Sequence, residues 1–416
     1  MLGAFILVVL LAPDTDNNLT YQALPLLLVL LVTAFCLSRL FRAPFSARRV
    51  LPKFGTAGCP LSYQVLVTNL SRRVQNGLSL LENLPDPRPS FQEWLTLQRA
   101  EQKLLRSFRF SGRLSLNVFK AALAKDAPVP TMAAGQEVAV RVELKPLRRG
   151  ILRLTGVTLA RPDPLGIYRS LTTVPLPQTV LILPKRYLLP AFALPGLSRY
   201  QKGGVALAAH VGQSEEYVAL RDYRYGDPLR HIHWRSWARV GRPVVKEFED
   251  EFFVRHALVL DTFSEEAHSE VFEEAVSVAA SFACTLPTQE SLLDLLFVGP
   301  QSYCFTAGRG VAHVEQMLEI LASVRACSDQ PFKALEHLVL GHAAAVSGCI
   351  CVLVSWDEAR REFIRKLKAL GVPVLTLVIV PLGESRKLDP GPLADEPDRF
   401  LVFEAGQIAT GLARMK

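Results

Sequence analysis

The chain opens on an apolar run and then changes period twice. Residues 21–37, YQALPLLLVLLVTAFCL, carry no charge, and with Leu19 and Thr20 they approach the ~20 residues that a membrane-crossing helix needs. Residues 1–12, MLGAFILVVLLA, are equally apolar but short, so the two runs predict a transmembrane hairpin over 1–41. From about 50 to 190 the period is two. Val138, Val140, Val142 and Leu144 alternate with Ala139, Arg141, Glu143 and Lys145; Tyr63, Val65 and Val67 repeat the pattern, and ILRLTGVTLA follows Arg149-Gly150. Turn signals at Asn76-Gly77 and Asp163-Pro164 separate these strands, which predicts a small β-sandwich-like domain. The stretch from Ser90 to Arg109 departs from this period. Its Phe91, Trp94, Leu95, Leu104 and Leu105 predict an inserted helix near 90–109.

From 252 to 416 buried strands alternate with amphipathic helices. FVRHALVLDTF, LLDLLFVGP, CICVLVSW and VPVLTLVIV read as strands; HSEVFEEAVSVAASFA, GVAHVEQMLEILASV and DEARREFIRKLKALG read as helices. The last helix starts on Asp357 and Glu358, ends in bases and closes at Gly371, as the helix dipole and a glycine cap favour. Alternation of this kind predicts an α/β domain with a parallel sheet flanked by helices.

Composition sharpens the first region. Hydrophobic residues make up 50% of the 416 and mean hydropathy is +0.22, with the apolar excess concentrated in residues 1–45. Arg39, Arg42, Arg48, Arg49 and Lys53 follow the apolar run without an acid among them, while Asp14 and Asp16 precede it. Lysine and arginine favour the cytoplasmic side, so the charge places the bulk of the chain in the cytoplasm and offers these bases to an anionic lipid surface. The seven cysteines form an odd set without a CxxC pair, which suits a reducing compartment. Cys349 and Cys351 lie two apart on a strand and point the same way into a core.

Chemistry concentrates in 200–251. Arg221, Arg224, Arg230, Arg235, Arg239, Arg242 and Lys246 are opposed only by Asp222 and Asp227, with Tyr217, Tyr223, Tyr225, Trp234 and Trp237 interleaved. Nucleic acid is disfavoured, because Glu247, Glu249, Asp250 and Glu251 follow at once and repel phosphate. His231 and His233 share a face on a strand but have no acidic or cysteine ligand spaced to complete a metal site. The favoured reading is an ordered arginine–carboxylate–aromatic network, with Gly226 in a turn, Asp227 beside an arginine, and Arg230 as the base whose loss strands that carboxylate. In the α/β region Asp261 ends the first strand and Asp357 follows the fourth, where open sheets bind ligands and where two hard oxygen ligands can begin a magnesium site.

The segment GQSEEYVALRDYRYGDPLRHIHWRSWARVGRPVVKEFEDE resembles the signature of the bacterial domain of unknown function 58 family. Arg221, Tyr223, Gly226, Asp227, Arg230, Ile232, Trp234, Ala238, Arg239 and Glu247 match its pattern in order, and Arg149-Gly150 with Asp163-Pro164-Leu165-Gly166 resembles its second mark. The resemblance implies a membrane-anchored protein of the bacterial inner membrane with a von Willebrand factor A-like C-terminal domain. It implies no assigned catalysis, and as partners a MoxR-type AAA+ ATPase and a transglutaminase-like membrane protein. It also implies a metal-dependent adhesion site of the form Asp-x-Ser-x-Ser. This chain departs from that form: Phe263 and Glu265 stand at the serine positions, and Ser264 is out of register. Asp261 and Asp357 therefore make a degenerate metal site, and no cofactor is expected, magnesium included. The expected function is a non-enzymatic, membrane-tethered scaffold or adaptor acting with the ATPase in assembly or maturation of envelope proteins. The alternative is a metal-dependent protein-binding module.

Overall fold

The computed structural model describes residues 18–40, 44–86, 91–92, 95, 120–162, 168–190, 219–227, 229–247, 254–264, 269–285, 291–308, 311–385 and 388–413. They form two compact units, residues 1–183 and 184–416. The expected inserted helix falls almost wholly outside the described residues; Phe91, Gln92 and Leu95 are helical.

The expected transmembrane hairpin is corrected here. Its first arm, residues 1–12, lies outside the described residues. Its second arm is helix α1, Asn18–Leu40, which contains Pro25. Among the described residues no helix is long and apolar enough to cross a membrane. Ala34 on this helix is fully buried, and Thr33 Oγ1 donates to the Val29 carbonyl at 2.7 Å.

The first unit is built from β1 Phe45–Val50, β2 Phe54–Thr56, β3 Leu61–Asn69, β4 Leu78–Asn83, β5 Ala122–Ala124, β6 Ala127–Val129, β7 Glu137–Pro146, β8 Gly150–Pro162 and β9 Arg169–Leu183. One sheet runs β1-β3-β7-β5 and the other β2-β9-β8-β4-β6. Alternation decides which faces turn inward: Tyr63, Val65 and Val67 of β3 and Val140, Val142 and Leu144 of β7 share a core with Leu80, Val157 and Ile182 of the other sheet. At the β8–β9 bulge, a Cβ on Gly156 would lie 2.6 Å from the Val174 carbonyl oxygen, so only glycine allows this approach.

That approach completes a buried polar centre. Arg49 and Glu82 have no exposed side-chain surface and pair at 2.8 Å. Arg49 also donates to the carbonyls of Gly156 and Leu176, at 3.2 and 3.0 Å, and to Gln178 at 3.1 Å. Tyr63 donates to the second Glu82 oxygen at 2.6 Å. Burial first, and the neighbouring Glu82 charge second, push the Tyr63 hydroxyl well above its usual range. Arg49 was read from the sequence with the bases that face lipid, yet it lies on the inward face of β1 with Phe45.

The second unit places a two-stranded hairpin, β10 Ala219–Asp222 with β11 Val244–Glu247, before a six-stranded sheet. The sheet strands are β12 Val254–Leu260, β13 Ser291–Val298, β14 Ser302–Ala307, β15 Gly348–Leu353, β16 Val374–Val380 and β17 Phe400–Glu404. The helices are α2 Trp234–Val240, α3 Glu270–Thr285, α4 Val311–Ser323, α5 Lys333–His342, α6 Glu358–Ala369 and α7 Ile408–Leu412. Strand order is β14-β13-β12-β15-β16-β17, parallel except for β14. Every residue of β15 and β16 is buried, as in strands covered on both faces. Cys349 and Cys351 share that core, their sulfurs 3.5 Å apart. Four elements described after residue 252 were not expected from sequence: β14, α5, β17 and α7. β14 and β17 are half-exposed edge strands, so neither carries the continuous apolar run that marks the central strands.

The buried pair in the first unit sets a test. Replacing Arg49 with Met leaves the Glu82 carboxylate buried without its cation and should cost about 3–5 kcal/mol in urea unfolding. Arg48→Met, at an exposed neighbour, should change stability by less than ~0.5 kcal/mol. Equal effects of the two would show that Arg49 is not the internal counter-ion.

Candidate functional site

Counted along the chain, the six-stranded sheet runs third, second, first, fourth, fifth, sixth. The order therefore reverses between β12 and β15, and in such sheets ligands bind outside the carboxyl ends of the strands at that reversal. Asp261 stands there. It follows the last residue of β12, is fully buried, and donates its backbone N–H to the Val352 carbonyl at 2.9 Å. One carboxylate oxygen accepts from the Phe263 N–H at 3.0 Å. The other accepts from the Val354 N–H at 3.2 Å and from Arg360 Nε at 2.6 Å. Burial raises the Asp261 carboxyl, and the Arg360 charge is the largest influence holding it down.

Arg360 reaches this position from the first turn of α6. Asp357 caps that helix in extended backbone, and its Oδ1 accepts from the Arg360 N–H at 3.0 Å. Its Oδ2 accepts from Arg360 Nη1 at 2.5 Å. The guanidinium lies 4.6 Å over the Phe332 ring, which meets Phe263 and Phe363 edge-on at 5.7 Å each. A cleft of about 780 Å³ opens over the group, lined among others by Phe263, Ser264, Glu270, Phe332, Asp357 and Arg360.

The two aspartates read as candidate ligands are thus brought together, on one guanidinium. Among the described residues no group of three His, Cys, Asp or Glu side chains could hold a metal ion; Glu265 lies outside them. A dication between Asp261 and Asp357 would have to displace the Arg360 guanidinium from Asp261, Asp357 and Phe332. Sequence reasoning missed Arg360 and Phe332. The signal for Arg360 was its spacing: it precedes buried Phe363, Ile364 and Leu367 by three, four and seven residues, on the inward stripe of α6.

The signature residues lie elsewhere in this unit. Arg221 on β10 grips Asp227 with two nitrogens at 2.7 Å each, and the Arg224 N–H adds a bond at 2.8 Å. The Arg221 hydrogen bonds hold the Asp227 carboxyl at about 2, well below its ordinary value. Gly226 makes the turn at φ 104. Tyr223 donates its N–H to the Pro243 carbonyl at 3.0 Å, and Ile232, 6% exposed, bridges Val245. Glu247 ends β11 opposite Ala219. Trp234, Ala238 and Arg239 lie on α2, exposed. Arg230 is exposed as well and donates to His231 at 3.3 Å, so the expectation that it holds the Asp227 carboxylate is corrected in favour of Arg221. His233 caps α2 through Ser236, and the two histidine rings therefore serve different neighbours.

Comparison with known proteins bears on this same stretch. Residues 219–381 match the family described as "Protein of unknown function DUF58". The match runs from the hairpin through the reversal point, and so takes in both Asp227 and Asp261. The uncharacterized protein YeaD of Bacillus subtilis is 26% identical over 208 residues, half of this chain and half of its own length. This chain thus spans half of the curated relative it matches. Among solved structures, a CARDB domain from Pyrococcus furiosus (12% identity, 33% of this chain and 93% of its own, TM-score 0.18) carries no argument about fold. The same holds for α2-macroglobulin of Escherichia coli (14% identity, 39% and 9%, TM-score 0.20).

The Asp227 pair predicts a pH response. The folded carboxyl is depressed below its unfolded value, so its contribution is present above the ordinary aspartate range and is lost as pH falls through about 2. In NMR titration of the full chain, Asp227 should titrate near 2 and return to the ordinary range in Arg221→Gln. Arg230→Ala should leave that titration unchanged; a shift there and none in Arg221→Gln would reverse the assignment.

Proposed function

We propose that this chain is a non-enzymatic scaffold or adaptor whose cleft, of the von Willebrand factor A type, holds a protein partner without a metal ion. The observation that carries the reading is the Asp261–Arg360–Asp357 group at the strand-order reversal. The sheet order, an aspartate after the first strand and an aspartate after the fourth support the likeness to an adhesion domain. In such a site an ion would sit among these oxygens; here Arg360 supplies the positive charge from within the chain. A guanidinium fixed in place needs no loading step, and Phe332 covers one of its faces.

The non-enzymatic reading is supported by how fully these groups are engaged. Asp261 accepts three hydrogen bonds and is fully buried, which leaves it poorly placed to move a proton to or from a bound molecule. The family resemblance puts a MoxR-type AAA+ ATPase first among partners, with a role in assembling or maturing envelope proteins. The metal-dependent alternative requires Arg360 to leave Asp261, and the 2.6 Å bond speaks against that.

Binding between the purified full chain and the purified, nucleotide-free ATPase tests the proposal. The expected result is equal affinity in magnesium and in chelator, with Phe332→Arg weakening it about tenfold or more by obstructing the cleft. Binding lost in chelator and restored by manganese would promote the metal-dependent alternative. Absence of any binding would remove the ATPase from the account.

A further inference from the structure

The cleft over Asp261 carries more negative charge than its guanidinium balances. Arg360 is shared by the carboxylates of Asp261 and Asp357, at 2.6 and 2.5 Å, so the group keeps a surplus negative charge. Asp261 is sealed beneath, whereas the Asp357 side chain is 52% exposed. Glu270, in the first turn of α3, lines the same cleft; it is exposed and has no ion pair among the described residues. Of the described residues that line the cleft, Arg360 is the one lysine or arginine, and its charge is already engaged.

The other walls suit a long stem. Phe263, Phe332, Val354 and Leu382 supply apolar surface. A side chain that enters here can lay its methylenes on these walls and carry a charged head to the carboxylates. Lysine and arginine have that form. Arginine fits better, because its planar fork meets a carboxylate with two bonds and its flat face stacks on aromatic rings, as Arg360 itself does on Phe332.

An anion is the rival occupant. Helices α3 and α6 both begin at the cleft, and helix N-termini attract negative charge. Both termini are already answered from within the chain. Asp357 caps α6 by accepting from the Arg360 N–H, and Glu270 and Glu273 stand in the first turn of α3. A carboxylate or phosphate entering the cleft would meet the exposed charges of Asp357 and Glu270, which repel it.

We infer that the cleft receives a basic side chain of its protein partner, an arginine, with Asp357 and Glu270 as its counter-charges. The inference deepens the metal-free partner site proposed above and rests on that reading. It also fixes the sign of the anchor. A dication among these oxygens would draw an acidic residue; a guanidinium already shared by two carboxylates leaves a cleft that draws a base.

The probe is the heptapeptide Gly-Ser-Leu-Arg-Leu-Ser-Gly, acetylated and amidated, with nitrogen-15 in the arginine side chain, titrated with the purified full chain in chelator. The expected result is a saturable shift of the arginine Nε–H resonance that weakens with salt. Citrulline or glutamate in place of the arginine should weaken binding about tenfold or more, and Glu270→Lys in the protein should do the same. Glu270→Gln, which keeps the shape, should fall between the parent and Glu270→Lys. Glu137→Lys, at an exposed position in the first unit, should bind as the parent does. Thermal melting of each variant checks the fold. The inference is overturned if the arginine peptide does not bind saturably, or if Glu270→Lys and Glu270→Gln both leave its affinity unchanged. Tighter binding of the glutamate peptide in chelator would overturn the sign of the anchor and leave the metal-free cleft standing. Glutamate-peptide binding that appears only with magnesium would overturn both. No ATPase enters this test, so loss of that partner would leave the inference as it is.

Discussion

A carboxylate buried at the point where a sheet's strand order reverses must be matched by a cation, and in this protein the cation is a side chain. Asp261 is sealed from water and bonded by two backbone N–H groups and Arg360. An unpaired charge at that depth would cost several kcal/mol. The requirement reaches outward. Arg360 must be held at the start of α6, so Asp357 caps the helix and grips the guanidinium; its flat face must be covered, so Phe332 lies against it. The floor of the cleft follows from one electrostatic demand.

The hairpin obeys a similar logic at the surface. Asp227 is spent on Arg221, and that pair with buried Ile232 holds the insert rigid. Rigidity there lets α2 stand with no buried face and its tryptophan pair outward. Within one short segment some arginines are paired with carboxylates and others face solvent.

Much of this was legible in the sequence where a period was clean. Val65 and Val142 followed two-residue alternation into the first core, and β15 and β16 were continuous apolar runs. Asp261 and Asp357 could be placed at strand ends from the alternation of strands and helices. The partners of charges were less legible. Arg49 counted as one of five bases after an apolar run, although residues 45, 47 and 49 share a strand face and Phe45 marks it as inward. Arg360 counted as surface charge although its spacing to Phe363 and Leu367 put it on the buried stripe. Asp227 was expected beside an arginine, but spacing alone did not choose Arg221, six residues back on a paired strand, over Arg230, three residues on in a turn. The apolar N-terminal run suggested a hairpin from hydropathy alone, and no helix among the described residues is long and apolar enough to bear that out.

Asp261 and Arg360 neutralise each other, and a double-mutant cycle measures that coupling. Arg360→Met should lower stability by about 3–5 kcal/mol, because it leaves the Asp261 charge buried without a cation, and Asp261→Asn should cost less, because Asp357 still pairs with Arg360. Combined, they should cost at least ~2 kcal/mol less than the sum of the two. Additive losses would mean instead that the carboxylate and the guanidinium do not depend on each other.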